Sequence, residues 1–193
     1  MDKRPVKAGA IIVGNRQGPG AAVYDIAADL GFGFIRPYAG RPALALVARE
    51  APLCFVLFAE VLDPMVYDPI VREIRQGGPR AIAFSPLIYF SESPSRETVA
   101  ACAALGMDDV VTMPFTRERV WARLRRQIDN MQVYSESADY LGPERRRLSG
   151  TRADSPGRTA LSAPPDRRYE IRRDLDTGAK IRRGLVPGPD RLA

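Results

Sequence analysis

The feature that most constrains the fold is a regular alternation of short apolar runs with longer helical patterns, from about residue 10 to residue 130. This alternation is typical of βαβ units, in which parallel strands of one sheet are joined by helices. The central runs are apolar on both faces, as buried parallel strands are. The predicted strands are residues 10–13, 33–36, 53–58, 80–84 and 109–112.

Five helical patterns lie between and after these runs. In the first, Val23, Ile26 and Leu30 share one face, and Gly31 follows as a natural C-cap. The rhythm predicts a flavodoxin-like, doubly wound five-stranded parallel sheet of order 2-1-3-4-5, with a ligand site beside strands one and three. Periodicity alone leaves a fragment of another doubly wound fold as an alternative. The predicted helices are residues 21–30, 42–50, 64–76, 94–105 and 116–131.

The amino-acid composition limits the chemical functions that the chain can have. Histidine is absent, which removes the commonest general base, phosphoryl-donor side chain and imidazole metal ligand together. Cys54 and Cys102 have no CxxC or Cys/His spacing, so neither a zinc site nor a disulfide is indicated. Residues 14–20 contain three glycines but lack the Lys-Ser/Thr of a phosphate-binding loop. We therefore expect no enzymatic activity, no cofactor and no metal.

The C-terminal part of the chain has a different amino-acid composition. The whole formal net charge of +6 falls in residues 142–193, which hold 13 basic and 7 acidic residues and no Phe, Trp, Met or Cys. Such a segment has too little apolar surface to offset the entropy of ordering. The sequence predicts a domain at 8–131, followed at 132–193 by a linker and a disordered tail rich in Arg, Pro and Gly. With no apolar stretch long enough to span a bilayer, we expect a cytoplasmic protein.

Two segments carry a family resemblance. Residues 106–115, Gly-Met-Asp-Asp-Val-Val-Thr-Met-Pro-Phe, resemble the "G-a-D-D-y-l-t-K-P-F" turn, strand and loop of CheY-like response-regulator receiver domains. Residues 59–75 are similar to the region of the third strand and helix of that family, and the register holds for all five βα units. Residues 140–147, Tyr-Leu-Gly-Pro-Glu-Arg-Arg-Arg, are similar to an element that follows receiver-like domains in alphaproteobacterial regulators.

The resemblance implies where a phosphoryl-accepting pocket would lie. Receivers hold Mg²⁺ with acidic residues after strand one, and this chain has Gly14 and Asn15 there. The acceptor aspartate corresponds to Ala59, the lysine to Met113, and the Ser/Thr after strand four to Ser85. Because the cation and the lysine would neutralise charge on the phosphoryl group, their loss predicts a degenerate pocket without phosphoacceptor chemistry.

Glu60 stands beside the acceptor position. A shift of one residue would bring it into the pocket as an acceptor or a phosphate mimic, but would also reverse the face of every side chain in the strand. The sequence therefore favours a solvated loop carboxylate at Glu60, with the shifted register as the alternative.

The resulting hypothesis is a phosphorylation-independent pseudo-receiver that binds a protein of a two-component pathway, or a second copy of itself. Receivers commonly use the face of helix four, strand five and helix five for such contacts. In this chain that face would include residues 94–105 and the basic residues Arg117 and Arg123, for which a solvated helix exterior is the alternative.

A second hypothesis is nucleic-acid binding through the arginine clusters of the tail, above all Arg145, Arg146 and Arg147. Phosphate contacts by these side chains would make binding strongly salt-dependent. Acidic residues are interleaved with them, however, and no helix-turn-helix or RNA-binding signature is present. Membrane-surface binding is less favoured, because no apolar anchor accompanies the arginines.

Overall fold

Five parallel strands form the central sheet. A computed structural model describes residues 6–112, 114, 116–144 and 166–184. Within them the sheet has the order β2-β1-β3-β4-β5, which confirms the predicted flavodoxin-like topology. The strands are β1 (Val6–Val13), β2 (Phe32–Pro37), β3 (Cys54–Phe58), β4 (Leu87–Ser91) and β5 (Asp109–Thr112).

Helices cover both faces of this sheet. On one face, α1 and α6 pack on Ala10, Phe55 and Leu57, whereas the remaining helices pack on Val56 and Phe58 from the other side. Strand β3 is buried at all five positions, as its unbroken apolar run predicts. The helices are α1 (Pro19–Leu30), α2 (Arg41–Glu50), α3 (Asp68–Arg72), α4 (Arg80–Ala83), α5 (Arg96–Ala104) and α6 (Arg117–Asp129).

The predicted third helix, residues 64–76, is a composite. A 3-10 turn at Pro64–Tyr67 leads into α3, and a π-helical turn at Glu73–Gly77 follows it. Asp63 caps the start, because its carboxylate accepts a hydrogen bond of 2.9 Å from the amide of Met65.

The predicted fourth strand, residues 80–84, is wrong. Those residues form the short helix α4, which begins after Pro79, and β4 lies seven residues later at Leu87–Ser91. Both runs are apolar and of strand length, so their composition does not distinguish them. The amide of Ile82 donates to the carbonyl of Pro79, and the turn so formed keeps residues 80–84 out of the sheet.

The prediction of a linker and disordered tail from residue 132 onward is also wrong for the part of that region that the structure describes. Four antiparallel strands form a second sheet of order β7-β6-β8-β9. The remaining tail, residues 145–165 and 185–193, lies outside the described residues. The new strands are β6 (Gln132–Glu136), β7 (Leu141–Pro143), β8 (Arg167–Asp174) and β9 (Gly178–Gly184).

The second sheet buries enough surface to order these strands because every other residue of β8 points inward. Tyr169, Ile171 and Arg173 are buried, while their neighbours are exposed or half-exposed. Tyr169 and Ile171 form an apolar cluster with Phe84 and Tyr134, where the two sheets meet. The β8–β9 turn reaches the start of β3: a side chain at Gly178 (φ 79°) would lie 2.4 Å from the carbonyl oxygen of Pro52.

Candidate functional site

An open crevice of about 330 Å³ lies at the carboxyl edge of the five-stranded sheet. It is lined by residues 14, 15 and 17–20 after β1, by residues 59–61 after β3, and by Tyr67. In open α/β sheets, ligand sites lie outside the carboxyl ends of the strands where the strand order reverses, and β1 and β3 flank that point here. The sequence predicted this location, and the structure brings Gly14, Asn15 and Ala59 together in it.

Gly14 and Ala59 close the floor of the crevice. A β-carbon at Gly14 would lie 2.7 Å from that of Ala59, and Gly14 has a φ of 149°, which side chains rarely adopt. The backbone after β1 is equally tight, because a β-carbon at Gly20 would lie 1.8 Å from the carbonyl oxygen of Asn15. The backbone at Gly14 therefore leaves no room for a carboxylate.

Glu60 is not the solvated loop carboxylate that the sequence favoured. Its two carboxylate oxygens accept hydrogen bonds from the Ser91 hydroxyl, at 2.5 Å, and from the Glu92 amide, at 2.9 Å. Ser91 is fully buried at the end of β4. Alternation along β3 was a sound argument for the strand, but Glu60 lies two residues beyond its end, where alternation no longer fixes the direction of a side chain.

The segment after Glu60 is anchored by two buried tyrosines. The Tyr89 hydroxyl donates to the carbonyl of Val61 and accepts from its amide, both at 3.1 Å. The Tyr67 hydroxyl donates to the carbonyl of Ala59 at 3.0 Å. Burial raises the pKa of Tyr67 to about 12, so it remains a neutral donor at all physiological pH values.

Ser85 does not lie where it was predicted. Because β4 is displaced along the chain, Ser85 precedes that strand at the opposite edge of the sheet, and its hydroxyl makes one long contact of 3.5 Å with the carbonyl of Ala81. Ser91 takes the place expected of Ser85. The signal available in the sequence was Pro86, which favours the start of a strand directly after it over the end of one directly before it.

The remaining candidate residues are dispersed. Met113 lies outside the described residues, as do Arg145, Arg146 and Arg147. Arg123 covers the edge of β5, where its guanidinium donates to the carbonyl of Val110 at 3.1 Å and lies 3.5 Å from the Asp109 carboxylate. Arg117 is half-exposed at the start of α6.

A second polar cluster, which sequence reasoning missed, lies at the amino edge of the sheet. The Asp108 carboxylate is 2.8 Å from the Arg75 guanidinium and 3.2 Å from that of Arg173, and all three side chains are at most 2% exposed. Tyr134 also donates to Asp108, and its ring lies between the two guanidinium groups. In the sequence, Asp108 stands out only as the first residue of an Asp-Asp pair at the start of β5.

The charges of this cluster are compensated by hydrogen bonds. Arg75 also donates to the carbonyls of Ala83, Ser85 and Gly106, at 2.7 to 2.9 Å. Burial opposes ionisation of Asp108, but Arg173 and Arg75 outweigh it and hold the pKa of the carboxyl below its usual range. The cluster thus fixes the second sheet to the first through charge.

Among the described residues, no group of three or more His, Cys, Asp or Glu side chains is placed to hold a metal ion. In the same part of the chain, no helix is long and apolar enough to cross a membrane.

Comparison with solved structures gives receiver-like chains. The receiver domain of a sensor histidine kinase from Pseudomonas aeruginosa PAO1 matches at 19% identity and a TM-score of 0.44, covering 63% of this chain and 98% of that one. A CheY chemotaxis protein of Vibrio cholerae matches at 20% identity and a TM-score of 0.48, over 63% and 98% of the two chains. A CheY-like protein of Pseudomonas aeruginosa PAO1 gives 16% identity and 0.47, over 62% and 98%.

The other two comparisons are negative. No family model matches the chain, and no curated protein matches it.

Proposed function

We propose that this protein is a phosphorylation-independent signalling module: a pseudo-receiver of a two-component-type pathway that acts in the cytoplasm by binding a protein partner. The observation that carries the proposal is the Glu60–Ser91 contact. The crevice where a receiver would accept a phosphoryl group is lined instead by a carboxylate that already holds the buried hydroxyl at the end of β4.

Glu60 is poorly suited to be a nucleophile. A carboxylate attacks a phosphorus atom through an oxygen lone pair, and each hydrogen bond that the oxygen accepts uses one lone pair and makes the oxygen less nucleophilic. Both oxygens of Glu60 accept hydrogen bonds, one from Ser91 and one from the main chain. Charge-assisted hydrogen bonds of this kind are about twice as strong as neutral ones, so attack by Glu60 would start from a stabilised ground state.

The same contact supports a single fixed conformation. The buried Ser91 hydroxyl already has a hydrogen-bond partner within the chain, the Glu60 carboxylate, and needs no phosphoryl group to provide one. Together with the tyrosine anchors at Val61 and Ala59, it holds the segment after β3 in one arrangement. A module built in this way presents a constant surface to its partner and does not act as an enzyme.

The nucleic-acid alternative has less support among the described residues. Of the tail arginines, Arg173 is buried, Arg168 forms an ion pair with Glu144, and Arg167 lies 3.5 Å from Glu136. All three side chains are held by contacts that involve the second sheet. Arg172, Arg182 and Arg183 point outward, but Glu170 lies directly opposite Arg182.

The direct test is incubation of the purified protein with Mg²⁺ and acetyl phosphate, followed by intact mass measurement. An ordinary receiver domain treated in parallel serves as the positive control, and Glu60→Gln is the matched variant. We expect no mass increase in either form of this protein. An adduct of about 80 Da on the wild type that is absent from Glu60→Gln would overturn the proposal, and would identify Glu60 as an acceptor.

A further inference from the structure

The segment between β3 and α3 exposes an unusual amount of apolar surface. Leu62 is fully exposed, Val66 is 60% exposed and Met65 is 44% exposed. The 3-10 turn that carries Met65 and Val66 packs against α5, on which Val99 is a further exposed apolar residue. We call Leu62, Met65 and Val66 the apolar loop. Single exposed apolar residues are ordinary, but clusters of them mark binding surfaces.

Hydrogen bonds hold the backbone of the apolar loop at both ends. The Glu60 carboxylate and the Tyr89 hydroxyl fix its start, and the Asp63 cap and the Tyr67 hydroxyl fix the turn that follows. A segment whose backbone is fixed in this way loses little conformational entropy when a partner binds. Fixed, exposed apolar side chains therefore suit a docking surface better than a mobile loop would.

The rim of the apolar loop is acidic. From Ala59 to Tyr67 the charged residues are Glu60 and Asp63, both acidic, whereas the charge of Asp68 is paired with that of Arg72 at 2.8 Å. Glu92, whose amide donates to Glu60, is exposed at the end of β4 and adds a further negative charge. At the start of α5, the charge of Arg96 is offset by that of Glu97.

We propose that the apolar loop and its acidic rim dock a segment of a different protein that presents apolar anchor residues flanked by Lys or Arg. This inference rests on the proposed function, because it names the surface through which the module binds. Leu62 and Val66 enter the apolar face of the partner, and the rim attracts its basic flanks.

A second copy of this chain fits the surface poorly. Face-to-face association would set one acidic rim against another, and like charges in contact disfavour a pairing strongly. The basic helix α6 is no better as an occupant, because Val120 and Leu124 are buried in the core and Trp121 and Ile128 pack partly against it. A membrane surface is disfavoured by the same negative rim, since cytoplasmic lipid surfaces are anionic.

The experiment is a selection from a phage-displayed library of random 16-residue peptides on the immobilised full-length protein. The enriched peptides are then synthesised and titrated by fluorescence polarisation. The test variants are Leu62→Ser and Glu92→Lys, and the matched control is Leu46→Ser, an apolar residue on α2 that is 56% exposed. Size-exclusion chromatography with light scattering of the wild type and Leu62→Ser is run alongside.

We expect an apolar and basic consensus, a loss of affinity of about tenfold or more in Leu62→Ser, a smaller and salt-dependent loss in Glu92→Lys, and no change in Leu46→Ser. Failure to enrich any peptide would overturn the inference, as would acidic peptides or equal affinity for Leu62→Ser and the wild type. A dimer that Leu62→Ser dissociates would identify a second copy as the occupant. None of these outcomes bears on phosphorylation, so the proposed function stands or falls separately by mass measurement.

Discussion

Each edge of the five-stranded sheet holds a carboxylate, but the two carboxylates differ in burial and in the charge of their partners. At the carboxyl edge, Glu60 is half-buried and bound by a hydroxyl and an amide, both neutral donors. At the amino edge, Asp108 is fully buried between the guanidinium groups of Arg75 and Arg173. A buried charge without partners costs several kcal/mol, so the amino edge can be changed only at a large cost in stability. The carboxyl edge is open, so replacing the half-buried Glu60 carboxylate should cost less stability.

The largest effect is expected from Asp108→Ala, which leaves two guanidinium groups buried without their carboxylate. We expect the free energy of unfolding to fall by about 3–5 kcal/mol, measured by urea denaturation followed by circular dichroism. Asp176→Ala is the control, because its ion pair with Lys7 is exposed to solvent and should contribute little to stability. Equal losses in the two variants would show that the cluster does not stabilise the fold.

Next in size is Arg173→Met, which keeps most of the side-chain volume but removes the link between the two sheets. Its guanidinium donates to the carbonyl of Phe84 at 2.9 Å and lies beside Asp108, so we expect a loss of about 2–3 kcal/mol. Hydrogen exchange should accelerate more in β8 and β9 than in β1 and β3. Arg172→Met changes the exposed neighbour in the same strand and should leave exchange unaltered. Uniform acceleration over both sheets would contradict a local role.

A smaller effect on the free energy of unfolding is expected when the pH is lowered. The pKa of Asp108 is lowered in the folded protein, so its contribution to stability is fully present above its unfolded value of about 3.9 and is lost as the pH falls below it. Burial raises the pKa of Asp109, which acts in the opposite direction. Unfolding free energies of wild type and Asp108→Asn, measured from pH 6 to pH 2, should converge as the pH falls. Parallel curves would show that Asp108 does not titrate as described.

The smallest effect compares two buried serines. Ser91→Ala removes a donor to the Glu60 carboxylate and should cost about 1.5 kcal/mol, the lower end for a hydrogen bond to a charged group, because Glu60 is half-exposed. Ser85→Ala removes only a long contact at the other edge and should cost less. Thermal unfolding of the two variants under identical conditions separates the serine that sequence reasoning assigned from the one that the structure places there. A larger loss for Ser85→Ala would reverse that assignment.

The central sheet was predictable because its three inner strands are buried on both faces. Unbroken apolar runs identified β1 and β3, and β5 was predicted with its observed bounds. The fourth strand was misplaced because the run at residues 80–84 is also apolar, and only the turn from Pro79 decides against it. A local pattern cannot reveal which of two similar runs pairs with β3.

The second sheet escaped prediction because one of its inward positions is a charged residue. Tyr169, Ile171 and Arg173 alternate as a half-buried strand does, but a buried arginine breaks the apolar pattern on which strand prediction depends. Its partner Asp108 lies 65 residues away in the chain, so no local signal connects them. The structure places Gly14, Asn15 and Ala59 in one crevice at the predicted strand ends, whereas the contact between Glu60 and Ser91 becomes visible only in the fold.

Phosphorylation independence is tested most directly by an amide ¹H–¹⁵N spectrum, recorded before and after addition of Mg²⁺ and beryllofluoride. Beryllofluoride is a stable mimic of a phosphoryl group on a carboxylate. A crevice with Gly14 and Ala59 at its floor, and with Glu60 already bound to Ser91, predicts an unchanged spectrum. Saturable shifts of the amides of Gly14, Glu60 and Ser91 would show that the crevice still binds a phosphoryl group, and would contradict phosphorylation independence.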